Sequence, residues 1–198
     1  MGPLYREGRG TLHAMRWRSA AVPLLLLGAT LGPVLDGFHT WSGTTWYTSP
    51  GWLRTVWWCP LLFSGAAAAI GLSRVAIEGR APPLGTRRIA AAIAWFIAAY
   101  ALSGFLPASS LAKCAVVGAM AAAGWAAFDR TRLGLAHGAL TAAGGWLVEF
   151  TLVREGLFVH RTAELAGVAV WIPCLYFSGA TAIGLLATRL AANPAPAQ

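Results

Sequence analysis

Six apolar runs separated by short polar breaks organise this 198-residue chain. They fall at about 19–37, 52–73, 89–106, 111–128, 133–153 and 166–188. Each is about long enough to cross the roughly 30 Å hydrocarbon core of a bilayer as one helix. The breaks carry turn chemistry. Pro82 and Pro83 lie between Gly79 and Gly85, and Pro107-Ala108-Ser109-Ser110 makes a tight turn between the third and fourth runs. The pattern predicts an all-α polytopic membrane protein, a bundle of six transmembrane helices occupying 19–190. Residues 1–18 form a short leading segment, and 191–198, with two prolines, form a disordered tail.

Composition supports this reading. The chain is 57% hydrophobic and 11% charged, with a mean hydropathy of +0.60, whereas soluble domains carry about 25% charged residues. Arg16-Trp17-Arg18 before the first apolar run imitates a secretory signal, but the run passes through Pro33 without a small-residue cleavage site, so it reads as the first helix. The net charge of +8 is spread over the breaks and forms no basic patch interleaved with aromatics, which argues against nucleic acid. With six spans, Arg6, Arg9, Arg16, Arg18, Arg74, Arg80, Arg87, Arg88, Arg130, Arg132 and Arg189 share one face, and Arg54, Lys113, Arg154 and Arg161 the other. That asymmetry predicts cytoplasmic N- and C-termini. The usage of Ala, Gly, Arg and Pro suggests a GC-rich bacterium, hence the bacterial inner membrane.

Two segments echo each other: Trp57-Trp58-Cys59-Pro60-Leu61-Leu62-Phe63-Ser64-Gly65-Ala66 and Trp171-Ile172-Pro173-Cys174-Leu175-Tyr176-Phe177-Ser178-Gly179-Ala180. Within a helix, Pro60 and Pro173 would leave the carbonyls of Val56 and Ala169 without their usual donors, so both helices are expected to bend there. Ala90, Ala94 and Ala98 on the third run, with Gly118 and Ala122 on the fourth, form small-residue stripes. Such stripes let helices approach closely and point to a homo-oligomer through helices three and four. Glu149 is the acidic residue deep inside a span, which makes it a functional candidate. In its neutral form it donates as well as accepts a hydrogen bond, and Trp146 and Phe150 flank it. Asp36 with His39, and His160 with Glu164, have helical spacing that suits a metal, but nothing in the sequence brings the pairs together, and no metal is expected. Trp41, Trp46, Tyr47 and Trp52 fit an interfacial aromatic belt. Cys59, Cys114 and Cys174 sit inside spans and read as packing residues without a disulfide. No nucleophile elbow, phosphate loop, paired metal-ligand helix or kinase signature appears, so no enzyme is expected.

Trp125-Ala126-Ala127-Phe128-Asp129-Arg130-Thr131-Arg132-Leu133-Gly134 resembles the Trp-Trp-Thr-Phe-Asp-Arg-Ser-Arg-Ser-Gly segment of the Insig (insulin-induced gene) family. Trp171-Ile172-Pro173-Cys174-Leu175-Tyr176-Phe177-Ser178-Gly179 resembles that family's Trp-Leu-Pro-Cys-Ile-Phe-Phe-Ser-Gly, and Glu149-Phe150 falls at or beside a family Gln-Phe. The resemblance covers about 110–190 well and the first half loosely. It implies a six-helix membrane protein with cytoplasmic termini. Animal members are sterol sensors that retain the escort protein Scap and promote degradation of HMG-CoA reductase, and the motif aspartate, here Asp129, engages Scap. The family's Tyr-Thr-Ser-Pro-Asp before the last helix is replaced by His160-Arg161-Thr162-Ala163-Glu164, while Tyr47-Thr48-Ser49-Pro50 precedes helix two. A bacterium lacks Scap, so the protein partner stays open. Locally, Asp129 can pair with Arg132 or cap helix five, while Arg130 and Arg132 suit anionic headgroups.

The expectation is therefore a non-catalytic lipid-binding protein. A sterol or a neutral two-chain, diglyceride-like lipid sits in a cavity between helices, near Trp125, Trp146, Glu149, Phe150 and Phe177. It needs no other cofactor. Asp129, Arg130 and Arg132 are candidate contacts to a partner or to headgroups. The alternatives are a small transporter or proton-coupled channel using Glu149, and a membrane scaffold.

Overall fold

A computed structural model describes residues 4–78 and 85–192, with side chains from residue 19 onward. The Gly79–Gly85 loop, apart from Gly85, and the tail from residue 193, for which disorder is expected from the sequence, lie outside the described residues. Six helices follow in order: α1 Leu4–Ser42, α2 Cys59–Glu78, α3 Thr86–Phe105, α4 Ser110–Phe128, α5 Arg132–Arg154 and α6 Ile172–Ala191. Five include a stretch long and apolar enough to cross a membrane. The sixth, α5, has 23 residues, about 35 Å at the helical rise, but Arg132, Glu149, Arg154 and its glycines dilute its hydropathy. Helical backbone satisfies its own polar groups in lipid, which is why the apolar runs take this form.

The last helix is the centre of the bundle. Its apolar window is 61% buried, against 17% for α4, and it packs against all five other long helices. At one end, Ala20 and Leu24 of α1, Val75 of α2, and Ala187 and Ala191 of α6 form a cluster, which brings the start of the first span and the end of the last together. This is the terminal end. The opposite, strand end carries a two-stranded antiparallel ladder between β1 (Thr45–Tyr47) and β2 (Phe158–His160), with Thr45 opposite His160. Its two strands are too short to show in a hydropathy pattern.

The α1–α2 contact depends on small residues. A Cβ on Gly28 would overlap the Phe63 carbonyl, and one on Gly32 the Phe63 side chain. These glycines, one turn apart, let α2 pack closely on α1. Ala90, Ala94, Ala98 and Ala122 instead face outward, and Gly118 lies against Cys174.

Three expectations need correction. The helix is already formed at Leu4, so residues 4–18 continue α1 and do not precede it. Helices two and six begin later than hydropathy suggests, at Cys59 and Ile172 instead of 52 and 166. Trp52–Arg54 is a 3-10 turn in which Leu53 and Arg54 have positive φ, and Leu165–Val168 is a tight bridged turn. Tryptophans and valines in these stretches raise the hydropathy of what is interfacial loop. Pro60 and Pro173 consequently occupy the second residue of their helices, where no N–H donor is needed, and they bend nothing. The carbonyls expected to lose partners keep them: Cys59 N–H donates to Val56 O at 3.1 Å and Ile172 N–H to Ala169 O at 3.1 Å. The echoed motif is a helix-start signal used twice.

Candidate functional site

At the strand end, six elements bring polar side chains into the apolar interior. The last turns of α1 present Asp36 and His39, both buried. Tyr47 of β1 donates its hydroxyl to Asp36 Oδ2 at 3.0 Å, with the Cys59 thiol 3.8 Å from the same oxygen. Burial first, and then the charge of Asp36, push the Tyr47 phenol well above its ordinary value, so it remains a donor. His39 Nε2 shares a 2.8 Å hydrogen bond with Ser103 Oγ of α3, and its ring stacks on Tyr100 and meets the edge of Trp171. A tyrosine from the central helix, Tyr176, donates to Glu149 Oε1 at 3.1 Å. A Cβ on Gly145 would overlap the Tyr176 ring, so the missing side chain is what lets the ring reach across to α5.

The second oxygen of Glu149 is different. It stands 3.3 Å from His160 Nε2 of β2, an ion-pair distance, but the angles make no hydrogen bond. Glu149 Oε2, both ring nitrogens of His160 and Thr45 Oγ1 are buried without hydrogen-bond partners among the described residues. Thr45 and His160 face each other across the strand ladder, so these orphaned atoms lie together. A buried polar group left unpaired costs about 1–3 kcal/mol, and a native protein with several in one place calls for an explanation.

The other sequence candidates fall elsewhere. Trp146 and Phe150 stack at 5.4 Å beside Glu149, and the Trp146 indole donates to Leu165 O at 3.2 Å. Phe177 fills the space over Gly138, where a Cβ would stand 2.6 Å from its ring. Trp125 is held at the terminal end by its 3.1 Å hydrogen bond to Thr131 O, about 27 Å along α5 from Glu149 at the helical rise. The five aromatic and acidic candidates therefore do not converge on one point. Glu164 leaves the Asp36, His39 and His160 group: hydrogen bonds from its own N–H, Ser110, the Val170 N–H and Thr162 outweigh desolvation and hold its carboxyl below the usual range. Among the described residues no three His, Cys, Asp or Glu side chains are placed to hold a metal.

The charged pentad also departs from expectation at Asp129. Its carboxylate turns inward, with its side chain 2% exposed. Arg74 clamps it through NH1–Oδ2 at 2.7 Å and NH2–Oδ1 at 3.2 Å, while Arg74 Nε donates to Glu78 at 2.7 Å. Thr131 donates its hydroxyl to Asp129 Oδ1 at 2.6 Å and itself caps α5 through Gly134 N–H at 2.9 Å. Arg132 is not the partner, and Asp129 is not the cap. A Cβ on Gly134 would overlap this carboxylate, which explains the glycine that ends the motif. Desolvation alone would raise Asp129, but Arg74 and Thr131 outweigh it and hold the group below the usual carboxylate range. Arg130 and Arg132 are exposed, as a headgroup role requires, and Arg130 reaches back to the Ala126 carbonyl from a positive φ. Arg74, Tyr47, Tyr176 and Thr45 were not singled out as site residues in the sequence because their partners lie in other elements. A hint was available for Tyr176, the one hydroxyl-bearing aromatic inside the echoed motif.

No family model matches the chain. Among curated proteins it is similar to the insulin-induced gene 1 protein of Danio rerio, 26% identical over 194 residues covering 92% of this chain and 77% of the relative. It is also similar to that of Gallus gallus, 27% identical over 203 residues, covering 96% and 80%. Among solved structures it is similar to a mycobacterial Insig homologue from Mycobacterium vanbaalenii, with a TM-score of 0.82, 28% identity, and coverage of 89% of this chain and 97% of that one. A cross-linked trimer of that homologue matches with a TM-score of 0.81.

Proposed function

The chain belongs to the Insig family, and from that premise we propose a non-catalytic lipid sensor. It holds the hydroxyl of a sterol, or of a neutral two-chain lipid such as a diglyceride, between Glu149 and His160. The observation that carries the reading is the group of buried, unpartnered atoms at Glu149, His160 and Thr45. A hydroxyl donates one hydrogen bond and accepts others, so a single ligand group satisfies a carboxylate and an imidazole together. Trp146, Phe150 and Phe177 are half-buried and offer apolar faces to the rest of the lipid. Trp125, far along α5, belongs to the site only if the lipid's chains extend the length of the bundle.

The lipid is tested by extracting the protein in mild detergent and analysing its organic extract by mass spectrometry. About one sterol or diglyceride per chain is expected. No stoichiometric lipid, together with no binding of added sterol or diglyceride, overturns the reading.

A second reading has one observation in its favour: Asp36, His39, Glu149 and His160 gather at one end, supplying the titratable partners that a proton relay needs. Toward the other end, α5 offers no titratable side chain between His137 and Glu149. Proton-coupled flux in proteoliposomes that vanishes in Glu149→Gln would favour a transporter over a sensor.

For its setting, the arginine asymmetry supports termini in the cytoplasm of a bacterial inner membrane. The outward-facing Ala90, Ala94, Ala98 and Ala122 support self-association through α3 and α4. Crosslinking in native membranes should give oligomers, and monomers alone would remove this contact.

A further inference from the structure

A concave site lies at the strand end, and neither Glu149 nor His160 is among the residues that line it. A cavity of about 560 Å³ opens between the end of α1, the α3–α4 turn, the first turn of α4 and the loop after β2. Two cations line it, Lys113 and Arg161. Lys113 Nζ is anchored by the carbonyls closing α3, Ser103 O at 2.9 Å and Gly104 O at 3.4 Å. Arg161 is led in by the strand ladder, its N–H donating to Thr44 O at 2.9 Å. Its guanidinium lies over Gly43, whose φ of +66° and missing side chain leave the space: a Cβ there would stand 3.3 Å from Arg161 NH2. Among the described residues neither cation has a carboxylate within 4.0 Å. The nearby Glu164 makes no ion pair with either cation among the described residues.

We infer that this cavity binds a phosphate-class oxyanion between Lys113 and Arg161. Two like charges facing one space repel each other, and an oxyanion placed between them replaces that repulsion with two charge-assisted hydrogen bonds. Thr44, Ser110 and Thr162 also line the cavity, Ser110 and Thr162 sharing a 3.1 Å hydrogen bond and the Thr44 hydroxyl donating to Gly104 O at 3.0 Å. Its volume exceeds that of a bare phosphate and leaves room for a substituent. The 55% exposed Phe105 forms part of its wall, and the exposed Trp41 and Trp46 belong to the same end, as at a membrane interface. The same chemistry is offered by the headgroup of an anionic phospholipid and by a free phosphate.

The test uses the full chain in nanodiscs. In phosphatidylcholine discs, inorganic phosphate is titrated by calorimetry. In discs containing phosphatidylglycerol, native mass spectrometry counts retained lipids. Wild type should bind phosphate, or retain at least one phosphatidylglycerol more than Lys113→Gln/Arg161→Gln, with a loss of tenfold or greater in the variant. Phosphate binding without lipid retention assigns the free anion, and the converse assigns the headgroup. If the double variant fails to fold, Lys113→Arg/Arg161→Lys keeps both charges and should keep binding. Wild type that binds neither probe, or a folded charge-conserving variant that binds neither, overturns the inference.

Discussion

Two carboxylates near opposite ends of the bundle, one buried and one half-buried, are treated in opposite ways. Asp129 has both oxygens engaged, in a bidentate clamp with Arg74 at 2.7 and 3.2 Å and a 2.6 Å bond from Thr131. Glu149 has one oxygen on Tyr176 at 3.1 Å and a second beside an imidazole with which it makes no hydrogen bond. A completed network stabilises and fixes geometry, because each charged oxygen has a partner. A half-completed one costs free energy in the absence of a further group. The terminal cluster ties α2 to the α4–α5 turn and is structural. The strand-end cluster retains unused hydrogen-bonding capacity, as the proposed lipid site requires.

The largest effect should come from breaking the completed cluster. Asp129→Ala leaves Arg74 buried without its main partner and should destabilise the protein by about 3–5 kcal/mol, read by equilibrium unfolding in mixed micelles. The same contact dictates a pH dependence. Because the folded-state carboxyl is held below its ordinary value of about 3.9, its contribution is fully present above that value and is lost as pH falls through the lower folded one. Unfolding free energy should therefore fall below about pH 4, and Asp129→Asn should remove that part of the slope. An unchanged acid profile in Asp129→Asn would show that the clamp is not the acid-sensitive element.

The same contrast explains what could be read from the amino-acid sequence. The number of helices and α4 and α5 almost residue for residue were legible, since hydropathy and turn residues act locally. Helix starts at Cys59 and Ile172 were not, because Trp57, Trp58 and Val168 are as apolar as a span while the proline after each start fixes the first turn. Glu149 stood out as a charge in an apolar run. Its neighbours did not, because Tyr176 is 27 residues away and His160 lies in a strand of three residues. Asp129 was visible, but its inward turn depends on Arg74, 55 residues earlier, which the charge count had assigned to the surface. Gly28 and Gly32 carried a readable small-residue spacing that abundant alanine elsewhere obscured.

The smallest stability effect and the sharpest functional one should coincide at Glu149→Gln. The glutamine can still accept from Tyr176, so stability should change by less than about 1 kcal/mol. Its amide removes the carboxylate from the orphaned pair. The decisive measurement compares lipid per chain in organic extracts of wild type and Glu149→Gln, purified side by side and matched for folding. About one sterol or diglyceride per wild-type chain, and a tenfold or greater loss in the variant, is the predicted result. Equal lipid in both proteins, or none in either, would contradict the assignment of the strand-end cluster as the lipid site.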